Sequence, residues 1–155
     1  MSYLLYFLVV VGLVGVDQLS KLYIVGNIEL NTHIKIIDNF FYLTNVRNTG
    51  AGFSILEGEM TLFYIVTPLA LALFIFLLYK AKKDAKLEKM ALILMISGTI
   101  GNYIDRLNLK YVIDFLDFKI FGYDFPVFNV ADSFLTIGVL IFLITVLLEN
   151  KYAKN

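Results

Sequence analysis

The stretch Val130-Ala-Asp-Ser-Phe-Leu-Thr-Ile-Gly-Val-Leu-Ile-Phe-Leu-Ile-Thr-Val-Leu-Leu148 is almost entirely apolar, and Asp132 is its single charged residue. A membrane helix needs roughly 20 apolar residues to cross the hydrocarbon core, and this stretch is about that long. Three further apolar stretches precede it. We therefore predict an all-α polytopic membrane protein, a single integral membrane domain over residues 1–155, with four spans at residues 3–25, 61–79, 90–106 and 130–148.

The composition supports this class. Hydrophobic residues make up 59% of the chain and charged residues 17%, values that are typical of integral membrane proteins. The formal net charge is +0, so nothing indicates nucleic-acid binding. The chain has no cysteine and one histidine, His33, which excludes disulfides, thiolate catalysis and cysteine or histidine-rich metal sites. We expect no metal and no cofactor, and we expect His33 to be a surface residue.

The lysines predict the orientation in the membrane. The hairpin Lys80–Lys89 holds five lysines, and Lys151 and Lys154 fall on the same side by the parity of four spans. By the positive-inside rule, both termini are expected to be cytoplasmic. No Lys or Arg precedes the first apolar stretch and no small-residue cleavage pattern follows it, so we expect an uncleaved helix rather than a signal peptide.

Two segments then face outward: the first outer segment, residues 26–60, and the second outer segment, residues 106–129. Within the first, residues 34–37 and 40–44 are β-branched and aromatic and are bounded by Asn and Asp. Such runs are typical of short strands. We predict a small extracytoplasmic β-rich element between helices 1 and 2.

Parity also places the polar residues that interrupt the apolar stretches at one face. They close helices 1 and 3, open helix 4, or lie in the outer segments. A chain that used charge only for solubility would distribute it over both faces, so this pattern indicates a site. Its members are Asp17, Lys21, Arg47, Asn48, Gly50, Asn102, Asp105, Arg106, Asp114, Asn129 and Asp132.

Several members have a structural alternative. Asp17 and Lys21 are spaced i, i+4, so on a helix they are neighbours that neutralise each other at the membrane edge, and we favour this structural role. Asp105 and Arg106 fit an interfacial cap, whereas Asn102, one turn earlier, favours a hydrogen-bonding cluster. Both alternatives stay open.

Glycine and aromatic residues have two interpretations as well. Gly98 and Gly101 are typical of close helix packing in membrane bundles. Arg47-Asn-Thr-Gly-Ala-Gly52 is either a polar turn or a backbone that admits close approach of an extended peptide, to which Asn48 offers amide hydrogen bonds. The aromatic residues of the second outer segment favour an interfacial belt over a lid on the site; they are Phe115, Phe118, Phe121, Tyr123, Phe125 and Phe128.

Asp114 and Asp132 carry the chemistry that the sequence suggests. Asp132 also suits a helix N-cap, but Asp114 interrupts the apolar run Val112-Ile-Asp-Phe115 and has no such alternative. Two nearby carboxyls in a low-dielectric site do not both stay ionised, so a neutral acid lies beside a carboxylate base. This pair can activate a water against a carbonyl carbon, as aspartic proteases do.

Five segments of the chain, in order, resemble the motifs of the lipoprotein signal peptidase (signal peptidase II) family of bacterial membrane aspartic peptidases. The resemblance covers essentially the whole chain. The segments are Asp17-Gln-Leu-Ser-Lys21, Arg47-Asn-Thr-Gly-Ala-Gly-Phe53, Gly98-Thr-Ile-Gly-Asn-Tyr-Ile-Asp-Arg106, Val112-Ile-Asp-Phe115 and Phe128-Asn-Val-Ala-Asp-Ser133.

The resemblance implies an aspartic endopeptidase of the bacterial cell membrane with its active site at the extracytoplasmic face. Its substrates would be diacylglyceryl-modified prolipoproteins, cleaved just before the lipidated cysteine, and it would work as a monomer among membrane lipids. By motif position, Asp114 and Asp132 are the implied catalytic pair. The implied substrate-binding or dyad-supporting residues are Asn48, Gly50, Asn102, Asp105, Arg106 and Asn129.

Some points stay open at this stage. The setting of Asp105 also suits a catalytic role, and the sequence departs from the commoner family residues at Gly52, Thr99 and Ile113. A proton- or ion-coupled carrier is the alternative function, although a carrier would place its polar residues near the bilayer midplane. A phosphotransferase that holds a divalent metal is a third, which would need a tighter acidic cluster.

Overall fold

The computed structural model describes residues 3–50 and 57–152, without the side chains of residues 149–152. Helices lie at all four predicted positions in these residues, and a four-stranded antiparallel sheet accompanies them. Three of the helices, α1, α2 and α4, are long and apolar enough to cross a membrane. The elements are α1 Tyr3–Asn27, β1 His33–Ile37, β2 Phe41–Asn48, α2 Met60–Lys80, α3 Lys86–Leu109, β3 Val112–Ile120, β4 Tyr123–Asp124 and α4 Val130–Tyr152.

Helix α3 lies at the centre and packs against α1, α2 and α4. Its sequence is the least apolar of the four, and it buries Ser97, Asn102, Asp105 and Arg106. By contrast, α2 buries no residue at all, as expected for a helix whose outer surface meets lipid. The polar residues of α3 therefore avoid hydrocarbon because the other helices cover them.

The predicted close packing at glycines is confirmed. A Cβ at Gly98 would overlap the Ala131 carbonyl oxygen, and one at Gly101 would lie 2.5 Å from Asp17 Oδ2. Gly138 on α4 meets α3 in the same way, because a Cβ there would lie 2.8 Å from the Ala91 carbonyl oxygen. These glycines allow α1 and α4 to approach α3 closely enough for their polar groups to meet.

The sheet is larger than predicted. Strands β1 and β2 confirm the β-rich element between α1 and α2, but β3 and β4 come from the second outer segment, for which no strand pair was predicted. Strand β2 pairs antiparallel with β3, and Val46 lies opposite Asp114. The pairing joins segments far apart in the chain, so local sequence patterns do not reveal it.

One face of the sheet packs on the end of α1. Ile113 and Phe115 of β3 form a buried cluster with Ile24 and Ile28. Since successive residues of a strand point to opposite faces, Asp114 points away from this cluster. The apolar contacts thus hold β3 in place and direct the Asp114 carboxyl toward the start of α4.

The expectation of a uniform aromatic belt is wrong for part of the set. Phe115 is buried in the sheet cluster, and Phe118 stacks on Phe41 and Phe128 with ring centroids 4.5 and 5.7 Å apart. Phe121 is fully exposed. The sheet folds Phe115, Phe118 and Phe128 against the protein, whereas Tyr123 and Phe125 are exposed like Phe121.

Candidate active site

Asp114 lies on β3 and is only 2% exposed. Its Oδ1 accepts a hydrogen bond from Asn129 Nδ2 at 2.7 Å, and its Oδ2 accepts one from Asn48 Nδ2 at 2.8 Å. Three separate parts of the chain therefore meet at one carboxyl. Both oxygens are held, which fixes the orientation of the group.

Asp132 lies in the first turn of α4, but it is not the N-cap. Asn129 is the cap: its Oδ1 accepts from Asp132 N at 2.9 Å, while its own backbone N donates to Asp132 Oδ2 at 3.1 Å. This reciprocal pair is a capping box, in which the residue three positions into the helix returns the bond. The N-cap interpretation of Asp132 is therefore wrong by three residues, and Asp132 Oδ1 remains available to accept from Asn102 Nδ2 at 2.6 Å.

A chain of side-chain amides links the two carboxyls. Asn129 Nδ2 donates to Asp114 and also to Asn102 Oδ1, the latter at 3.1 Å, while Asn102 Nδ2 donates to Asp132. Lys21 Nζ donates to Asn102 Oδ1 at 3.0 Å. Because an ammonium group only donates, the Asn102 oxygen must face Lys21, which leaves its NH₂ for Asp132.

The same reasoning fixes the amide of Asn48. Its Oδ1 accepts from Gly50 N at 2.8 Å, so its NH₂ faces Asp114. The predicted close approach of an extended peptide to the backbone of Arg47–Gly52 falls partly outside the described residues, because residues 51–56 are not described. Arg47 is exposed, and its guanidinium lies 4.9 Å from the Tyr111 ring centroid.

A second polar cluster lies beneath this network. Lys21 Nζ lies 2.9 Å from Asp17 Oδ2 and 2.9 Å from Asp105 Oδ2, and all three side chains are buried. The predicted pairing of Asp17 with Lys21 is confirmed, and Asp105 joins it as a second carboxylate. Gln18 Nε2 lies 3.0 Å from Asp105 Oδ1. Buried charges of this kind require partners on every side, and here each has them.

This cluster also supports the elements that carry the two carboxyls. Asp105 Oδ2 accepts from Ile113 N at 3.2 Å, one residue before Asp114. Asp17 Oδ1 accepts from Ala131 N at 2.9 Å, one residue before Asp132. Asp105 does not line the cavity of about 460 Å³ that has both carboxyls on its wall, so it lies below the site.

Arg106 is the cation nearest the cavity. Its Nη2 donates to the Gly50 carbonyl oxygen at 2.9 Å, and its guanidinium lies 4.3 Å from the Phe63 ring centroid. Tyr64 OH donates to the Arg106 backbone carbonyl at 3.0 Å. Helix α2 thus contributes two aromatic residues to the site, although its sequence carries no polar signal that could have predicted them.

The central cavity has a volume of about 460 Å³ and contains both carboxyls on its wall. Its polar side is formed by Asn48, Asn102, Arg106, Asp114 and Asp132. The remaining wall is largely apolar and comes from the second outer segment and the first turns of α4, including Phe125, Pro126, Val127, Phe128, Leu135 and Ile137. A second cavity of about 180 Å³ shares Asn48, Asp114, Pro126 and Val127 with it.

The surroundings of Asp114 favour its neutral form. Burial and the nearby charge of Asp132 together raise the pKa of Asp114 from 3.8 to about 7, against the hydrogen bonds from Asn48 and Asn129, which lower it. A carboxyl with this pKa holds a proton at mildly acidic pH, where an ordinary aspartate is ionised. It can act as an acid beside a carboxylate base.

All the predicted site residues converge on one end of the bundle, where Arg47 lines the second cavity rather than the central one. Gln18 lies in the motif Asp17-Gln-Leu-Ser-Lys21, but we predicted no role for it. Its position next to Asp17 was the one sequence signal that it could join the cluster. His33, predicted at the surface, is exposed on β1 with Nδ1 3.0 Å from Asp117 Oδ2. Within residues 3–50 and 57–152, no group of three or more His, Cys, Asp or Glu is placed to hold a metal ion.

Comparisons with known proteins match most of the chain. A family model described as signal peptidase (SPase) II matches residues 9–148. One similar solved structure is a bacterial membrane enzyme determined by the in meso method at 2.3 Å resolution, with 38% identity, a TM-score of 0.88, and coverage of 97% of this chain and 91% of that one. Another, determined by the same method at 1.9 Å, has 39% identity, a TM-score of 0.83 and 92% coverage of each chain.

Proposed function

The chain belongs to the signal peptidase II family of bacterial membrane aspartic peptidases, and on that premise we propose that Asp114 and Asp132 are its catalytic pair. Its function is to remove signal peptides from bacterial lipoprotein precursors. The observation that carries the assignment is the convergence of these two carboxyls on one cavity, each oriented by side-chain amides. The carrier alternative has no comparable support, because the polar residues gather at one end of the bundle.

The two carboxyls have different roles in the first step. Asp132, as a carboxylate, takes a proton from a water whose oxygen forms a bond to the scissile carbonyl carbon. Asp114, protonated because of its raised pKa, donates its proton to the carbonyl oxygen. The tetrahedral intermediate then collapses: the C–N bond breaks, the proton on Asp132 passes to the leaving nitrogen, and Asp114 recovers its own.

The amides keep this geometry in place before the substrate arrives. Asn48 and Asn129 hold Asp114, and Asn102 holds Asp132, so neither carboxyl has to reorient during the reaction. Asp105 has a supporting role, because it binds Lys21 and the backbone of Ile113 rather than lining the cavity.

Arg106 and the Gly50 backbone are the proposed substrate contacts. The Arg106 guanidinium lines the cavity beside both carboxyls and is held by the Gly50 carbonyl. Its remaining N–H groups can donate to the carbonyl oxygens of an extended peptide, which only accept. The apolar wall provided by Leu135 and Ile137 suits the diacylglyceryl chains next to the scissile bond. Those chains also anchor the substrate in the lipid that surrounds a monomeric enzyme.

We propose that α3 also spans the membrane, which adds a fourth span to α1, α2 and α4. Its 24 residues extend about 36 Å at 1.5 Å per residue, enough to cross a hydrocarbon core of about 30 Å. With four spans, both termini and the lysine hairpin lie on the cytoplasmic side. The dyad, at the opposite end of α3, then faces the extracytoplasmic side.

Conservative substitutions test the dyad. Asp114→Asn and Asp132→Asn each keep the shape of the side chain but remove its acid or base, so we expect processing of a purified diacylglyceryl prolipoprotein to fall by about 10²–10⁴-fold. Asp117→Asn is the matched control, since Asp117 is a buried acid on the same strand outside the central cavity.

The control should process the substrate at close to the rate of the unchanged protein. Cleavage is followed by the shift of the product on a gel, and circular dichroism checks that each variant is folded. Full processing by either Asp114→Asn or Asp132→Asn would refute the assignment of the pair.

A further inference from the structure

A groove of about 370 Å³ lies between α1 and α3 at the end of the bundle opposite the dyad. Along most of its length the wall is apolar, and at one end it is basic. The apolar residues are Tyr6, Val9, Leu13, Met90, Ile93 and Leu94. The basic end is formed by Lys83, Lys86 and Lys89.

The charge at the basic end is one-sided. The α2–α3 hairpin also contains Asp84 and Glu88, but neither is among the residues that line the groove. Lys89 Nζ donates to the Lys83 backbone carbonyl at 3.1 Å, which holds the hairpin across this end. Lys86 lies one turn before Lys89 on the same helical face. An anion at this point would meet three lysine side chains of the hairpin.

The groove has the dimensions and the setting of a lipid site. From Lys86 to Leu94 it follows α3 over eight residue steps, a rise of about 12 Å at about 1.5 Å per step. Helix α1, which forms its other wall, is one of the three helices apolar enough to span a membrane. A ligand in this groove therefore has an apolar chain at hydrocarbon depth and a charged end at the membrane boundary.

We propose that the groove binds one anionic phospholipid, with its phosphate among Lys83, Lys86 and Lys89 and an acyl chain along Tyr6, Val9 and Leu13. Charge complementarity favours this occupant over a zwitterionic lipid, because basic pockets between membrane helices bind anionic head groups. A soluble anion would use the lysines and leave the apolar wall uncovered. A water-soluble peptide would not enter hydrocarbon.

This site is independent of the proposed catalytic pair. Bound lipid would join the α2–α3 hairpin to α1, whose other end contributes Asp17 and Lys21 to the polar cluster below the dyad. Since a ligand that binds only the folded state stabilises it, the protein should be more stable in anionic lipid. The decisive measurement is lipid retention, which does not depend on peptidase activity.

The first experiment compares two double variants on the same hairpin. Lys83→Gln/Lys86→Gln removes two groove lysines, whereas Lys80→Gln/Lys82→Gln removes two charges from the same face at positions that do not line the groove. The full chain is purified in detergent with phosphatidylglycerol or phosphatidylcholine of identical acyl chains, and native mass spectrometry counts the retained lipid.

We expect one retained phosphatidylglycerol, with retention weakened about fivefold for each groove lysine removed and by less than about twofold in the control. Equal weakening by both double variants would show diffuse attraction to the protein surface and would overturn the proposal. Equal retention of phosphatidylcholine would overturn it too, because no phosphate-selective site would then exist.

The second experiment fills the apolar part while keeping the lysines. Val9→Phe places a larger side chain in the groove, and Val16→Phe makes the same change on α1 outside it. Loss of phosphatidylglycerol from Val9→Phe alone supports the proposal. Full retention by Val9→Phe, or displacement of the lipid by soluble glycerol phosphate, would refute an acyl-chain site. Prolipoprotein processing by each variant confirms that it is folded.

Discussion

Lys21→Met should destabilise the protein far more than its single lost charge suggests. Methionine keeps much of the length and volume of the side chain but removes the ammonium group. That group has three partners: Asp17 and Asp105 at 2.9 Å and Asn102 at 3.0 Å. The ionic side chains are almost fully buried, with 2% of Lys21, 0% of Asp17 and 3% of Asp105 exposed. The substitution therefore leaves two buried carboxylates without their cation.

The geometry sets the size of the effect. Asp17 and Asp105 lie within about 6 Å of each other, since each is 2.9 Å from the same nitrogen. At an effective dielectric constant of about 20, two such charges repel by about 3 kcal/mol. Breaking a buried ion pair by removing one partner typically costs about 3–5 kcal/mol, which agrees. We expect the midpoint of thermal unfolding to fall by roughly 10 °C.

The assay has to suit the composition. The chain contains no Trp and no Cys, so tryptophan fluorescence and thiol-reactive dyes give no signal. Circular dichroism of the helices during heating in detergent measures the midpoint directly. Lys35→Met is the matched control, because Lys35 forms an exposed pair with Asp38 and its loss should cost less than about 1 kcal/mol.

A double variant separates charge from packing. In Lys21→Met/Asp105→Asn one of the two unpaired carboxylates is gone, so part of the lost stability should return. If the unfolding midpoint of Lys21→Met lay within a degree or two of that of the unchanged protein, the prediction that the buried ion pairs stabilise the fold would be refuted. If the double variant were less stable than Lys21→Met, the repulsion argument would be wrong.

Two further predictions concern pH and helix packing. Because the raised pKa of Asp114 is about 7 and the proposed mechanism needs its proton, kcat/KM should decline as pH rises through about 7, and also at acid pH where both carboxyls are protonated; a flat profile from pH 6 to 9 would contradict this. The same shift means that the stability contributed by Asp114 is full below pH 3.8 and is lost as pH rises through about 7, which unfolding measured across this range should show. Gly98→Ala should destabilise the protein by about 1–3 kcal/mol, since its Cβ would overlap the Ala131 carbonyl oxygen, whereas Gly12→Ala, with nothing within 4 Å, should not; equal unfolding midpoints would count against close packing of α3 and α4.

The role of Asp105 shows where sequence reasoning stopped. Its motif suits catalysis as well as support, because spacing along a helix does not reveal which neighbours a side chain meets. Its partners Lys21 and Ile113 lie on α1 and β3. Only the packing of these elements against α3 shows that Asp105 lies beneath the cavity.

The capping of α4 and the extent of the sheet are similar cases. An aspartate at the start of an apolar stretch suits an N-cap, but the N-cap of α4 is Asn129, three residues earlier, because the capping box satisfies the backbone N–H groups of Asn129 and Asp132. Strand β3 was missed because its partner β2 is remote in sequence, as in the pairing of Val46 with Asp114.

The sequence by itself determined the helices, the membrane class, the family, and the gathering of polar residues at one end of the bundle. Apolar length and the parity of spans are properties of the chain, so no knowledge of packing is needed to infer them. The tertiary structure alone decided which polar residues touch. Asn48 reaches Asp114 across 66 residues and Lys21 reaches Asn102 across 81, and such contacts depend on how separate elements pack. The same packing supplies the burial that raises the pKa of Asp114, since the charged form loses its water only after the sheet and helices have closed around it.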